Sequence, residues 1–216
     1  MATQAALKVA LLGAESTGKT ALAAGLADHW RGQGHAVHAV GEYLREWCDR
    51  AGRTPRPHEQ PAIAHEQARR ALQAPPGHWL VADTTPLMVA VYSDMLFNDA
   101  SLYDFALQHQ RLYDITLVTG LDIAWVADGL QRDGPQVREP VDARVRAALD
   151  RAGLPYRVVY GQGPKRLANA LFAIESLKRT GTETRPWTCE KCADPECEHR
   201  LFTGLLGSPA AGPRAT

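Results

Sequence analysis

Eight residues near the start of the chain have the types and the spacing needed to hold a chain of phosphates. Gly13 to Thr20 read GAESTGKT and fit the pattern G-x-x-x-x-G-K-[ST]. In this pattern the glycines let the backbone curl so that successive N–H groups point at phosphate oxygens. The lysine adds a positive charge near the β and γ phosphates, and the last hydroxyl faces Mg²⁺. We therefore expect this phosphate loop to bind a nucleoside triphosphate. The residues expected to contact it are Gly13, Glu15, Ser16, Thr17, Gly18, Lys19 and Thr20.

Acidic residues stand at the ends of two predicted strands. Asp83 ends one short apolar run, and Glu42 follows another. Phosphoryl-transfer enzymes with such a loop keep a carboxylate at this edge of the sheet, for Mg²⁺ or for the attacking hydroxyl. We expect Lys19, Asp83 and Glu42 to be catalytic, and Thr20 and Asp83 to hold Mg²⁺. Helix capping is the alternative role for Asp83, and for Glu42 it is the ordinary preference for a glutamate in a first helical turn.

Two segments carry residues that could close around a substrate. The run EYLREW starts at Glu42 and contains Tyr43 and Arg45, which could hold the sugar and the base of an acceptor. Arg132 and Arg138 lie in a segment with glycines near both ends, and such arginines can meet the charge on a transferring phosphoryl group. This segment suits a closing lid. A loop whose arginines contact only solvent is the alternative.

The cysteines fall into two groups with different expected roles. Cys189, Cys192, Cys197 and His199 have the spacing C-x2-C-x4-C-x-H, a set of donors that suits a structural zinc ion. The pair Cys197 and His199 is unusually close, so an unstructured redox-active tail is the alternative. Cys48 stands alone in a helical run, where we expect it to be a packing thiol.

The elements that must position these residues alternate between strand and helix. Short apolar runs predict five strands, and segments with helical periodicity lie between them. Thr85 and Pro86 suit the N-cap and first turn of one helix, and Gly153 suits the C-terminal end of another. The predicted strands are Leu7 to Leu12, Ala36 to Val40, Trp79 to Asp83, Ile115 to Val118 and Tyr156 to Tyr160. The predicted helices cover about 21–32, 42–50, 58–73, 140–152 and 164–178, with a further one opening at Pro86.

This alternation predicts an α/β fold of the P-loop kinase type, with a parallel five-stranded sheet and helices on both faces. After about residue 180 the composition changes to polar residues, glycine, proline and cysteine. We therefore expect a kinase-like domain over 1–180, a zinc-binding Cys/His-rich appendage over 181–202, and a disordered tail over 203–216.

Composition restricts the class of partner. The 216 residues contain 24 Lys plus Arg and 24 Asp plus Glu, so no overall field attracts the chain to nucleic acid or to an anionic membrane. No run approaches the roughly 18 apolar residues of a spanning helix, and the N-terminus has no secretory pattern. We expect a cytoplasmic protein that binds a small molecule. The sequence does not indicate the oligomeric state.

Together these motifs resemble the ribosylnicotinamide kinase domain of NadR-like proteins, a branch of the P-loop nucleoside kinases with an AAA-type ATP-binding sequence. The resemblance covers about residues 6–178. It is carried by GAESTGKT (Gly13 to Thr20), EYLREW (Glu42 to Trp47), DTT (Asp83 to Thr85) and WVADGLQR (Trp125 to Arg132). The first motif is shared by many unrelated NTPases, and the last is the most particular to this branch.

The resemblance implies ATP and Mg²⁺ as co-substrate and cofactor. It implies phosphorylation of the 5′-hydroxyl of nicotinamide riboside to nicotinamide mononucleotide, a step of NAD biosynthesis. Asp83 or Glu42 would take or orient the hydroxyl proton. Candidates to contact the nicotinamide or ribose are Tyr43, Tyr92, Trp125 and Asp128, and an aromatic face could attract the cationic pyridinium ring. For Tyr92, which lies inside a predicted helix, packing in the core is the stronger expectation.

Two alternatives remain open from the residues alone. The acceptor could be another nucleoside or a deoxynucleoside. The chain could also be a nucleotide-dependent switch, in which ATP moves the lid and the zinc tail binds a partner. The strand-end acids and the lid arginines favour the enzyme. The Cys/His-rich tail has no obvious role in catalysis and slightly favours the switch.

Overall fold

A computed structural model describes residues 6–126 and 134–179 as five strands and seven α-helices. The strands are β1 (Lys8–Leu12), β2 (Val37–Val40), β3 (Trp79–Asp83), β4 (Ile115–Thr119) and β5 (Arg157–Val159). The helices are α1 (Lys19–Gly32), α2 (Tyr43–Ala51), α3 (Gln60–Leu72), α4 (Pro86–Phe97), α5 (Tyr103–Gln110), α6 (Arg138–Arg151) and α7 (Gly163–Arg179). Short 3₁₀ turns at Pro57–Glu59 and Pro135–Val137 lead into α3 and α6.

The five strands form one parallel sheet in the order β2-β3-β1-β4-β5. β1 is central, and its neighbours β3 and β4 are buried along their whole length. Both faces of a parallel sheet are covered by the crossover helices, so its inner strands are apolar throughout. The segment that follows β1 therefore emerges at the middle of the carboxyl edge, where the direction of the strand order reverses and ligands bind in open α/β sheets.

Side chains that alternate along the strands divide the core between the two faces of the sheet. Leu12 and Val118 point to the face covered by α3, α4, α5 and α6. Leu11 and Leu117 point to the opposite face, covered by α1 and α7. This alternation with a period of two residues is the ordinary geometry of a strand. α1, the helix after the phosphate loop, therefore lies on one face of the sheet, and most of the helices near Glu42 and Asp83 lie on the other.

The predicted elements agree with the structure with two differences. All five strands lie where expected, Thr85 caps α4 by accepting a hydrogen bond from the backbone N–H of Leu87 (3.3 Å), and Gly153 follows α6 with a φ of 63°. The helix expected from Pro140 begins instead at Arg138, because the 3₁₀ turn runs directly into it and a proline is tolerated in the first turn. The short helix α5 is not among the predicted elements.

The expected appendage over 181–202 and the expected tail over 203–216 lie outside the described residues, so the division of the chain at 180 stays a prediction. Within the described part, no helix is long and apolar enough to cross a bilayer.

Candidate functional site

The phosphate loop joins β1 to α1 in a conformation that ordinary residues rarely adopt. Gly13 and Gly18 have φ values of 138° and 77°, and Ser16 has a φ of 52°. A residue other than glycine in this region carries strain that a functional loop often stores. The hydroxyl of Ser16 donates to the carbonyl of Val126 (2.7 Å), which fixes the loop against the segment after β4. The loop is therefore curled as the phosphate-binding pattern predicts.

Lys19 turns back over its own loop. Its Nζ donates to the carbonyl oxygens of Gly13 (2.9 Å) and Ala14 (2.8 Å), and the residue is only 8% exposed. Burial lowers the pKa of this ammonium, while the charges of Glu42 and Asp83 raise it. Lys19 therefore holds its amino group in a buried position near two carboxylates and in the lining of a cavity, where its positive form would attract a phosphoryl group.

The loop is anchored to β4 by a pair of threonine hydroxyls. The Oγ1 atoms of Thr17 and Thr119 are 2.6 Å apart, and Thr119 also donates to the carbonyl of Leu12 (3.2 Å). A Cβ on Gly13 would lie 2.3 Å from the Thr119 hydroxyl, so only glycine fits between them. The loop's position therefore depends on a residue more than a hundred positions away in the sequence.

The two predicted acids flank Lys19 but have different surroundings. Glu42 is 14% exposed, and its carboxylate accepts a hydrogen bond from Arg45 (3.2 Å). Burial, with the nearby Asp83, raises the pKa of Glu42 despite the attraction of Lys19 and Arg45. Asp83 is 3% exposed, and its Oδ1 has no hydrogen-bond partner among residues 6–126 and 134–179. A buried carboxylate oxygen without a donor suits a cation ligand.

A single buried glutamine holds the segments that carry these two acids. Gln67 of α3 accepts a hydrogen bond from the backbone N–H of Tyr43 (2.7 Å) and donates to the carbonyl of Gly41 (3.2 Å), the two residues on either side of Glu42. The same amide donates to the carbonyl of Thr84 (3.4 Å), next to Asp83. Gln67 therefore ties together the ends of β2 and β3, although neither carboxylate touches it in these bonds.

One cavity of about 280 Å³ extends from the phosphate loop into the face covered by α2, α3 and α4. Its lining combines polar and charged groups with apolar and aromatic side chains, as in many small-molecule sites. The polar lining comes from Glu15, Ser16, Lys19, Glu42, Arg45, Thr54 and Gln60; the remaining lining is Leu44, Cys48, Pro55, Tyr92, Leu96 and Phe97.

A second cavity of about 280 Å³ lies on the other side of the loop, between α1 and the start of α7. Its lining is mostly apolar and includes Gly18, Ile123 and Pro164. Arg166, 3% exposed, borders it and donates to the carbonyls of Thr17 and Gly161 and to the carboxylate of Asp122. This guanidinium joins the loops that follow β1, β4 and β5.

The structure brings some of the predicted substrate residues together and separates others. Arg45 and Tyr92 line the first cavity, and Tyr92 also packs against the core. Tyr43 is not part of the lining; its ring lies under the guanidinium groups of Arg50 and Arg70, at 5.3 and 4.4 Å. Trp125 is half-buried and is absent from that lining as well.

The predicted lid is only partly described. Arg138 is 8% exposed at the start of α6, and its charge acts on Arg166. Arg132 and Asp128 lie outside the described residues, as do the proposed zinc ligands Cys189, Cys192, Cys197 and His199.

Cys48 is fully buried, which agrees with the expected packing role. Burial, together with Asp49 and Glu42, raises the pKa of its thiol to about 11. At neutral pH the thiol is protonated, and only the thiolate is a good nucleophile.

Four residues to which the structure gives a part in the site are absent from the sequence predictions: Thr119, Arg166, Gln60 and Gln67. For Gln60 a signal exists. The buried residues of α3 follow helical spacing, and two of them, Gln60 and Gln67, are polar. A polar residue on a buried stripe must find a partner there. Thr119 and Arg166 carry no comparable local signal, because their partners come from distant loops.

Comparisons with known proteins support the fold. A family model, AAA_28, described as an AAA domain, matches residues 8–166. No curated protein sequence matches the chain. Among solved structures, a NadR protein in complex with NR is similar with a TM-score of 0.65 and 18% identity, covering 86% of this chain and 55% of that one. A NadR protein in complex with NAD and AMP-PNP gives 0.61 and 18%, covering 84% and 52%.

Smaller proteins share the same fold. A thymidylate kinase from Ehrlichia chaffeensis has a TM-score of 0.57 and 14% identity, covering 81% of this chain and all (100%) of that one. A deoxyadenosine kinase from M. mycoides has a TM-score of 0.51 and 11% identity, covering 79% and 100%. This chain spans about half the length of the NadR chains (55% and 52%). At such identities the likeness establishes the fold, which is the P-loop kinase fold expected from the resemblance to NadR-like proteins.

Proposed function

This chain belongs to the AAA domain family, and on that premise we propose that it is an ATP-dependent kinase that phosphorylates the 5′-hydroxyl of a nucleoside. The preferred acceptor is nicotinamide riboside, which would give nicotinamide mononucleotide for NAD biosynthesis. The observation that carries the proposal is one cavity lined by Lys19 and Glu42 together with apolar and aromatic side chains. A transferable phosphoryl group and a small acceptor can therefore meet in this cavity.

The phosphate side of the reaction falls to the loop and its neighbours. The N–H groups of the loop and Lys19 would bind the β and γ phosphates of ATP. The residues present fit Mg²⁺, because Asp83 has a buried oxygen without a donor among the described residues and Thr20 is the second residue of α1, directly after Lys19. Bound there, Mg²⁺ would offset the charge of the phosphates. The second cavity, beside Gly18 and Pro164, is the proposed site for the base of ATP.

The acceptor side of the reaction falls to Glu42. Its carboxylate would take the proton of the 5′-hydroxyl while that oxygen bonds to the γ phosphorus and the bond to the bridging oxygen of ADP breaks. Arg45 orients the carboxylate by its hydrogen bond. We propose that Arg132, from the segment before α6, and Arg138, at the start of α6, contact the transferring phosphoryl group. The raised pKa of Glu42 suits a base, because a stronger base takes the proton more readily.

The apolar end of the cavity supports a nucleoside with a positively charged ring. Tyr92 and Phe97 offer aromatic faces, which attract cations. The carboxylates of Glu15 and Glu42 stand in the same lining. A cationic pyridinium riboside therefore finds complementary charges and aromatic side chains, which a neutral sugar without a base would not.

The proposal is tested with purified protein, ATP, Mg²⁺ and separate acceptors: nicotinamide riboside, thymidine, deoxyadenosine and a no-acceptor control. We expect ATP to be consumed only with an acceptor, fastest with nicotinamide riboside. Lys19→Ala should lower turnover by at least about 100-fold, whereas Lys8→Ala, an exposed lysine at the other end of β1, should not. Hydrolysis of ATP without an acceptor would contradict the kinase and indicate the nucleotide-dependent switch.

A further inference from the structure

Gln60 is a buried polar residue in the wall of the first cavity. It is the first residue of α3 and is 1% exposed, yet it belongs to the lining. Its Oε1 atom is buried and has no hydrogen-bond partner in the part of the chain that the structure describes. A buried amide oxygen without a donor destabilises the folded state. In a residue that lines a cavity, such an oxygen indicates that a ligand in the cavity supplies the donor.

The other two glutamines buried to the same degree show what a structural role looks like in this fold. Gln67 uses both ends of its amide on backbone groups. Gln110 accepts a hydrogen bond from the hydroxyl of Thr85 (2.6 Å) and donates to the hydroxyl of Thr116 (2.9 Å). Neither of them lines the first cavity. The glutamine that faces the cavity is thus the one whose amide oxygen lacks a protein donor among the described residues.

We propose that Gln60 selects the acceptor by pairing its amide with a donor and an acceptor side by side on the acceptor's base, a primary carboxamide being the best match. This inference rests on the proposed function and names the feature of the substrate that the site reads. Two primary amides are self-complementary, since each supplies one N–H donor and one carbonyl acceptor. The partner of Oε1 is then the N–H of the carboxamide.

The same pairing rejects a carboxylate in that position. An ionised carboxylate has only acceptor oxygens, so one of them would face Oε1 of Gln60 with no proton between. A site built to hydrogen-bond one group discriminates strongly against an analogue that leaves its buried polar atoms unpaired. The chain should therefore distinguish nicotinamide riboside from nicotinic acid riboside, which have the same ring and sugar and differ in this one group.

The kinetic test compares these two ribosides, with deoxyadenosine as a third acceptor that offers its donor and acceptor on a purine edge. For the unaltered protein we expect kcat/KM to favour nicotinamide riboside over nicotinic acid riboside by at least about tenfold. In Gln60→Met the preference should fall to within about threefold, mostly through a higher KM for the amide. Equal use of the two ribosides by the unaltered protein, or an unchanged preference in Gln60→Met, would overturn the inference, as would a preference for deoxyadenosine that Gln60→Met leaves intact.

Two readouts separate this inference from the proposed kinase activity and from misfolding. Calorimetric titration of each riboside without ATP measures selectivity even if no phosphate is transferred. Selective binding without turnover would keep the role of Gln60 and refute the kinase, whereas turnover without selectivity would do the reverse. In thermal unfolding, Gln60→Met should keep or raise its Tm, because it removes a buried oxygen that has no donor among the described residues, whereas Gln110→Met loses two hydrogen bonds and should lower it. A fall in Tm for Gln60→Met as large as that for Gln110→Met would show that Gln60 is structural.

Discussion

Glu42 and Asp83 both act on the charge of Lys19, but their surroundings suit them to different chemistry. Glu42 lines the cavity, has a raised pKa and is oriented by Arg45. Asp83 does not line the cavity and keeps a buried oxygen without a donor among the described residues. We propose that Glu42 is the base and that Asp83 holds Mg²⁺. The sequence leaves these two assignments open, because both acids stand at or just after the carboxyl end of a strand and this position fits either role.

Removing the proposed base should change the pH dependence of the reaction. Glu42 must be ionised to act, and its pKa is raised, so kcat should fall on the acid side at a pH above the ordinary range of a glutamate. We expect Glu42→Gln to lower kcat by about 10²–10⁴-fold and to flatten that acid limb. A pH–rate profile measures both. An unchanged acid limb in Glu42→Gln would assign the base elsewhere.

The raised pKa of Glu42 also makes the stability of the protein depend on pH in a definite direction. Because the folded state raises the pKa of Glu42, this group contributes most to stability below the pKa of the unfolded chain, and the contribution is lost as the pH rises through the folded pKa. Glu42→Gln should therefore have a higher Tm than the unaltered protein near neutral pH, and the difference should shrink in acid.

Asp83→Asn tests the proposed Mg²⁺ ligand. This variant should lose turnover, and a higher Mg²⁺ concentration should restore part of it. The turnover lost in Glu42→Gln should not be restored by Mg²⁺.

Single residues were predictable from the sequence where their signal is local. The phosphate loop was recognised because its eight residues are consecutive and its spacing is specific. Gln60 was not predictable, although it is a polar residue on the apolar stripe of α3, because only the folded chain shows that it lines a cavity. Tyr43 was named for its place beside Glu42, but the turn of α2 carries its ring away from the cavity to Arg70.

At the scale of elements, α3 acts as a support for the ends of two neighbouring strands. Gln67 bonds backbone groups beside Glu42 and beside Asp83, so it positions both acids without touching an acceptor. The strands and most helices were predictable from apolar periodicity and from Thr85, Pro86 and Gly153. The hydrogen bonds by which α3 holds the ends of β2 and β3 were not predictable, because they come from the single side chain of Gln67, which reaches two loops.

Replacing this support should disturb the chemistry more than the binding of ATP. Gln67→Leu keeps a similar volume but leaves three backbone groups, of which the Thr84 carbonyl is buried, without their bonds to Gln67. This loss should cost about 1–3 kcal/mol of unfolding free energy. We expect kcat to fall, the acid limb governed by Glu42 to shift, and KM for ATP to change little. Gln73→Leu, an exposed glutamine just after α3, is the matched control and should have no effect. A kcat that survives in Gln67→Leu would contradict the positioning role.

The hydroxyl pair between the phosphate loop and β4 should couple stability to nucleotide binding. Thr119→Val removes the bonds to Thr17 and Leu12 while keeping the shape, so we expect a lower Tm and weaker ATP binding, measured by calorimetry. Thr116→Val on the same strand breaks the bond to Gln110. It should lower Tm but leave the affinity for ATP unchanged. Equal affinities in the two variants would show that the loop does not need Thr119.

For the whole molecule, the sequence predicted a parallel sheet with helices on both faces, and the structure confirms it. The order of the strands was out of reach of periodicity, because the inner strands β1, β3 and β4 are almost entirely buried and their sequences carry no mark of their neighbours. The contacts of Arg166 with three loops depend on that order. So does the meeting of Lys19, Glu42 and Asp83, which come from segments following three different strands.

The C-terminal segment is the part of the molecule that stays a prediction. We propose that Cys189, Cys192, Cys197 and His199 bind structural zinc and that the kinase needs only residues 1–180. Metal analysis of the full chain purified without chelator should find about one zinc per chain. A shortened chain that ends at residue 180 should contain no zinc and should keep its turnover. Full-length protein that is folded and free of metal would refute the zinc site, and loss of turnover on shortening would refute the boundary.

The place of β1 in the sheet delays the assembly of the phosphate loop during translation. β1 and the phosphate loop are synthesised before β3 and β4, the two strands with which β1 pairs. A nascent chain that ends before β4 lacks Thr119, one side of the loop's anchor. The phosphate loop is therefore complete only after β4 has emerged, and a ligand that needs the anchored loop can assist only the later stages of folding.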